Sequence, residues 1–375
     1  NPVYQNYTGS SPSSISPGLS GTTQFGITDL FEDYRIVGGV RTNFGIDNSE
    51  YGVSFERLRD RWDRKIVFSR QSQRIQQGFS VYKLISNDVA YTLKYPFNEV
   101  FSFRLRGDYR LDRLITQSND LQTLDAGNQT EVNLSVKSEL VFDNTMSLGL
   151  NLYRGTRWKV WAERYQKADI QNLTDLNVVG FDFRHYQKIH RSLIAAIRFA
   201  GVTSFGDYKI INYFGGVDNW IFQRVDNSTP ISPSEPYRFQ SFVGPMRGFY
   251  VNARNGNTSA VINAEVRWPV FRYLMKTPIK SDFLQTFQLV GFCDVGSAWT
   301  GWNPYNNQNL FNQTIVTQNP VTVTISNNRE PIVAGYGFGM HARLLGYFVR
   351  ADWAWGVDDG RVLPRVFHLS LNLDF

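Results

Sequence analysis

Apolar and polar residues alternate with a period of two along most of this chain. Between Val100 and Leu111, Phe101, Phe103, Leu105, Tyr109 and Leu111 fall on one face; Ser102, Arg104, Arg106, Asp108 and Arg110 fall on the other. Between Glu131 and Leu140, Val132, Leu134, Val136 and Leu140 oppose Glu131, Asn133, Ser135, Lys137 and Glu139. Successive side chains of a strand point to opposite faces, so this is strand patterning with one apolar and one polar face. The edge of a soluble sandwich shows such a segment once or twice. Here it recurs from about residue 22 onward, with no helical stretch of comparable quality. An arginine facing lipid near the bilayer midplane costs about 2–4 kcal/mol, and clean sorting of charge to one face is what that penalty produces.

The final third is the clearest. Residues 260–268 place Ala260, Ile262, Ala264, Val266 and Trp268 outward, with Asn263, Glu265 and Arg267 inward. Residues 287–296 place Phe287, Leu289, Cys293 and Val295 outward, with Gln288, Phe292 and Asp294 inward. Ala334, Tyr336, Phe338 and Met340 face outward against Gly335, Gly337 and Gly339; Tyr347, Val349, Ala351, Trp353 and Trp355 face outward against Arg350 and Asp352. The last segment sets Phe367, Leu369, Leu371, Leu373 and Phe375 outward and His368, Ser370, Asn372 and Asp374 inward.

At the roughly 9–11 residues that a spanning strand needs, the chain accommodates about sixteen strands, an even number as in bacterial single-chain barrels. The predicted fold is an all-β, antiparallel transmembrane β-barrel over residues 21–375. Asp47-Asn48, Asn98-Glu99 and Asp143-Asn144 read as turns, as does Tyr186-Gln187-Lys188-Ile189 between His185 and His190. Residues 1–20, with Ser10-Ser11-Pro12-Ser13-Ser14-Ile15-Ser16-Pro17-Gly18, read as a linker or N-terminal extension. About 205–256 is too long and irregular for a hairpin turn; it holds Gly215-Gly216, Pro230, Pro233, Pro236 and Pro245, and loops of that length are usually functional.

Composition agrees. Of 375 residues, 42% are hydrophobic and 19% charged, which alone suits a soluble protein. Aromatics reach 15%, and Tyr and Trp gather at membrane interfaces. No run of about 18 apolar residues exists, which excludes a membrane helix and leaves a barrel open. The net charge of +6 comes from basic residues spread among acids, as in Arg57-Leu58-Arg59-Asp60-Arg61-Trp62-Asp63-Arg64, and not from one basic face, so no nucleic-acid partner is expected. A single cysteine, Cys293, forms no internal disulfide. Asn1-Pro2-Val3-Tyr4 has no signal-peptide pattern, which for an outer-membrane barrel implies a cleaved or longer N-terminus.

Three features in order carry a resemblance. Gly244-Pro245-Met246-Arg247-Gly248-Phe249 ends the long loop, Glu265 lies on the next strand, and Phe292-Cys293-Asp294-Val295-Gly296 on the one after. This resembles the BamA-like superfamily of outer-membrane assembly and translocation barrels, the bacterial surface antigen family, which includes the two-partner secretion transporters. The resemblance covers about residues 190–375, and the first half in general architecture. Met246 stands where the family carries a smaller aliphatic residue, and the family's repeated periplasmic docking domains are not among these residues. The alternating C-terminus ending in Phe375 resembles the targeting signal of outer-membrane proteins.

The resemblance implies that the loop is folded into the lumen with Arg247, Gly248 and Phe249 at its tip, bracing the final strands through Glu265, Phe292, Asp294 and Gly296. Elementary electrostatics agrees. Glu265 and Asp294 both face inward by parity and would repel; an arginine between them converts the repulsion into charge-assisted hydrogen bonds. Gly335, Gly337 and Gly339, in a strand with no following helix, read as small lumen residues that leave room for the loop rather than as a nucleotide loop. Phe367, Leu369, Leu371, Leu373 and Phe375 are expected to close the barrel against a first strand near residues 22–29.

Catalysis is not expected. No Gly-x-Ser-x-Gly elbow occurs, and His341 and His368 are candidates for a hydrolase rim only in principle. No calcium-loop or zinc-ligand spacing appears, and no cofactor is implied. The resemblance implies residence in the outer membrane of a Gram-negative bacterium. It also implies insertion of outer-membrane proteins or translocation of polypeptides, through a weak seam between first and last strands. The partners would be outer-membrane lipid, a client outer-membrane or secreted polypeptide, and other subunits of an outer-membrane complex. A membrane anchor or passive channel for an upstream domain, or an accessory subunit of a larger complex, are the alternatives.

Overall fold

A computed structural model of the chain describes residues 4–7, 9, 20–43, 49–77, 80–117, 127–168, 174–275, 279–306, 309, 311–318, 321–326 and 329–374. Its wall is one sheet curled into a barrel. The long strands are β1 (Ser20–Thr28), β2 (Tyr34–Asn43), β3 (Ser49–Arg57), β4 (Asp63–Gln77), β5 (Ser80–Pro96), β6 (Phe101–Gln117), β7 (Gln129–Asp143) and β8 (Leu152–Lys167). They continue as β9 (Asp175–His190), β10 (Leu193–Gly206), β11 (Thr258–Trp268), β12 (Gln288–Trp299), β13 (Val333–Leu344), β14 (Tyr347–Asp358) and β15 (Val366–Leu371). Each pairs antiparallel with its predecessor. Two short strands, Met146–Gly149 and Arg361–Val362, extend hairpins. The sequence expectation of sixteen differs from these fifteen by one, and residues 8 and 10–19 lie outside the described residues. So does the candidate turn Asp47-Asn48.

The two-residue period sets the faces as the bilayer requires. Leu134, Val136 and Leu140 of β7 are 47%, 58% and 40% exposed, while Asn133, Ser135, Lys137 and Glu139 between them are buried. The same alternation runs through β11, where Ile262 and Val266 face out and Asn263, Glu265 and Arg267 are fully enclosed. Outward rings stack across strands, as Phe338 does with Trp353 and Trp355, which suits a band facing lipid. Tyr95, Phe97, Phe101, Phe142 and Trp158 cluster where β5–β8 meet at one rim. There Asn98 turns the chain, its side-chain oxygen accepting from the amides of Val100 and Phe101.

The stretch Tyr186–Ile189 is not a turn. β9 runs on through His190, with Tyr186 opposite Ala196 and Lys188 opposite Ile194, and the chain reverses at 191–192. The local polarity of Gln187 and Lys188 resembles a loop, but Tyr186 packs inward with Leu152 and Ile194, and that burial keeps the strand going. His185 meets Thr156, and His190 meets Tyr273.

The segment between β10 and β11 lies within the barrel and carries its own sheet. Lys209–Phe214 and Tyr237–Val243 pair in parallel, Arg254–Gly256 joins antiparallel, and the chain's Gln5–Asn6 joins the outer edge of Tyr237–Val243. The apolar core is therefore between this insert and the inner wall, where Phe214, Met246 and Phe249 pack with Ala200, Val261, Ala298 and Val333. On the other side of the lumen, β1–β7 enclose a cavity of about 770 Å³ lined by Arg41, Glu50, Asp63, Lys94, Arg104 and Glu139, among others.

Candidate functional site in the barrel lumen

Arg247 is fully buried at the inner surface of β11 and β12. Its Nε and Nη2 donate to the two oxygens of Asp294, each at 2.7 Å, and its Nη1 donates to Glu265 Oε1 at 2.6 Å. Its backbone amide adds a bond to Asp294 Oδ2 at 3.1 Å. The guanidinium carbon lies 3.7 Å from the centre of the Phe292 ring, a stacked cation–π contact. Each part of the Phe-x-Asp-x-Gly pattern thus has a physical task. Phe292 covers the face of the guanidinium and Asp294 grips its edge. At Gly296 a side chain would meet the Ala260 carbonyl oxygen at 2.4 Å and the Phe214 ring at 2.8 Å, so neither neighbour could keep its place.

Gly248 sits at φ +91°, a region costly for other residues, and an added Cβ would lie 2.6 Å from the Gly356 amide of β14. The loop tip is pressed onto wall backbone there. Phe249 is buried beside Gly356 and in the core of the insert, where Met246 also packs, so the larger side chain at 246 is accommodated among Phe214 and Ala298. Of the three inward glycines of β13, one faces the loop. A Cβ at Gly335 would meet the Arg247 carbonyl oxygen at 2.0 Å, whereas Gly337 makes way for Phe292 and Gly339 for the His341–Asp352 pair.

The arrangement extends past the residues named from sequence. Arg267 donates to Glu265 Oε2 at 2.8 Å and Arg350 to Glu265 Oε1 at 3.1 Å, so one carboxylate is shared by three arginines from loop, β11 and β14. Asn263 bridges the Pro245 carbonyl and Asp294, each at 2.8 Å. The Gly248 amide donates to His368 Nε2 of β15 at 3.1 Å. Asp374 accepts from Arg267 at 2.8 Å and Arg184 at 3.1 Å, contacts Arg157 and Tyr186, and offers its carbonyl to Arg350. Parity had already turned Asn263, Arg267, Arg350, His368 and Asp374 inward; which of them meet depends on register around the barrel. Burial by itself would lower the Arg247 pKa, but Asp294 and Glu265 outweigh it and hold the group above its ordinary value, fully charged. His341 and His368 are engaged in this structural network.

Phe367, Leu369 and Leu371 lie on β15, Leu373 follows it half-exposed, and Phe375 lies outside the described residues. The edge of β15 away from β14 meets a different partner from the one expected. Ile221 donates its amide to the Leu369 carbonyl at 2.9 Å, and the Asn219 carbonyl accepts from the Leu371 amide at 3.4 Å. Trp220 is thus bridged antiparallel to Ser370, and its ring lies on His368. No ladder between β1 and β15 occurs among the described pairings, and β1 is exposed from Thr23 to Thr28. The lumen loop, not the first strand, covers this stretch of the last strand's edge.

No protein-family model and no curated protein matches this sequence. Solved structures do. BamA from Haemophilus ducreyi lacking POTRA domains 1–3 superposes with a TM-score of 0.55 at 11% identity, over 94% of this chain and 68% of that one. CdiB from Acinetobacter baumannii gives 0.53 at 13% identity, over 94% and 56%. This chain spans little more than half the length of CdiB. At such identities the likeness is one of architecture: this chain has the β-barrel fold that these two proteins share.

Proposed function

We propose that this barrel resides in the outer membrane of a Gram-negative bacterium and assists insertion of outer-membrane proteins or translocation of polypeptides. The route is a weak seam between β1 and β15. One observation carries this reading: the free edge of β15 is paired with three loop residues instead of β1. Among the described residues, fifteen long strands in antiparallel succession leave β1 and β15 running the same way. A single extended segment of opposite direction, displacing Asn219–Ile221, would pair antiparallel with both edges. Meanwhile Arg247 holds the loop to β11 and β12, so the edge can open while the final strands stay braced. Nothing in this requires a catalytic residue, and the similarity of fold to BamA and CdiB supports this reading.

Cysteines placed on β1 and β15 in a Cys293→Ser background test the seam. Oxidation is expected to abolish client insertion or secretion, and reduction to restore it. Normal activity of the oxidised barrel would sink the seam. A second reading is favoured by the cavity of about 770 Å³ on the side of the lumen away from the insert: a passive channel. A large, steady conductance in planar bilayers without any client would support that reading instead.

A further inference from the structure

The insert's Tyr237–Val243 strand has one edge paired with Lys209–Phe214 and the other turned to the wall of β6–β9. That second edge is occupied by the chain's own residues 4–7. Gln5 lies opposite Gln240, Asn6 opposite Phe239, and the Tyr7 amide donates to the Arg238 carbonyl at 2.8 Å. Tyr4 is buried in a pocket of Leu176, Val178, Ile210 and Phe239, with Tyr165 edge-on at 5.9 Å. Its hydroxyl donates to Glu163 at 3.4 Å. Burial in this pocket, with Glu163 beside it, holds the phenol well above its usual range, neutral and able to donate. Arg110, clamped by Asp112 at 2.9 and 3.0 Å, reaches the Tyr4 carbonyl at 2.5 Å and the Asn6 side chain at 3.1 Å.

These parts divide into what any peptide offers and what one side chain offers. The strand edge and the Arg110 bond to the Tyr4 carbonyl read backbone groups, which every extended segment has, while the second Arg110 bond, to the Asn6 side chain, is particular to this occupant. The pocket reads an aromatic ring with a hydroxyl. A free edge beside an aromatic pocket is the arrangement by which sheets take up extended peptides. The occupant in place is only four residues long, and a replacement must exchange two ladder positions, the Tyr7 amide bond, the Arg110 and Glu163 bonds, the Tyr4 ring in its pocket and the Tyr7 ring against Tyr237.

We propose that this edge and pocket form a receptor for extended polypeptide within the lumen, occupied in cis by residues 4–7 and yielded to a passing segment that bears an aromatic side chain. The proposal stands apart from the seam: the receptor is on the insert, and its failure would leave the β1–β15 reading untouched.

The test uses the full chain in detergent or liposomes and a fluorescent peptide of residues 1–9. Tyr4→Ala weakens the cis occupant, and the labelled peptide is expected to bind this variant at least tenfold more tightly than the unaltered barrel. An unrelated extended peptide with one tyrosine is expected to bind too, and its alanine counterpart at least tenfold more weakly. Gln5→Cys with Gln240→Cys in a Cys293→Ser background locks the occupant, so oxidation should abolish binding and reduction restore it. Unboiled gel mobility reports whether each variant is folded. Equal binding by the oxidised and reduced forms would overturn the receptor. Binding confined to the chain's own peptide would also overturn it, since the segment would then be a private structural strand.

Discussion

At the scale of single residues, Arg247 shows how a buried charge is made tolerable. Both carboxylates around it have no solvent exposure, and desolvating such groups costs several kcal/mol each unless every charge is paired. Arg247→Ala is expected to destabilise the barrel by about 3–5 kcal/mol, because Asp294 loses its principal cationic partner. Gel-shift melting of the folded barrel would measure it, together with protease sensitivity of the insert. Unchanged melting and protection would mean that the loop is held by its apolar core alone. Arg247→Lys keeps the charge but loses the two-pronged grip and the flat stack on Phe292, so an intermediate loss is expected. These partners were legible in sequence through parity: Glu265 and Asp294 sit at inward positions of two alternating segments. Asn263, Arg267 and Arg350 share that parity, yet nothing local says that they converge on the same two carboxylates.

At the scale of elements, strands were legible where apolar alternation was clean, as in β6, β7 and β11–β15. It failed at Tyr186–Ile189, where two polar residues near a strand end imitate a turn and only the packing of Tyr186 reveals a continuing ladder. The insert was readable as a long irregular loop, but its sheet was not, since Lys209–Phe214 is enclosed on all sides and lacks a two-residue period. The short pairing of Asn219–Ile221 with β15 depends on one donor in particular. Ile221→Pro removes the amide that bonds the Leu369 carbonyl. Faster amide exchange over residues 366–371 is expected, without loss of the Arg247 contacts. Protection equal to that of the unaltered barrel would show that the edge of β15 is held by something else.

At the scale of the whole molecule, Asp374 ties the chain's end to distant strands. Its side chain joins Arg267 of β11 and Arg184 of β9, its amide bonds Asn151 before β8, and its carbonyl receives Arg350 of β14. Asp374→Asn should cost less than Arg247→Ala, about 1–3 kcal/mol. The reason is solvation and sharing: Arg157 and Arg184 are partly exposed, at 29% and 19%, and Arg267 keeps Glu265. A melting loss equal to that of Arg247→Ala would mean that the C-terminal tie, rather than the loop brace, dominates closure.

The sequence by itself determined the strand period, the lipid and lumen faces, and the pair of carboxylates awaiting a cation. A bilayer acts on each residue of a strand separately, so its demands are written locally, every second position. The tertiary structure alone decided what lies along the edge of β15, where residues 4–7 dock, and which arginines share Glu265. Those depend on how fifteen strands curl around and on where a long insert comes to rest, and the groups that meet are more than a hundred positions apart in places, as Asp374 is from Arg184.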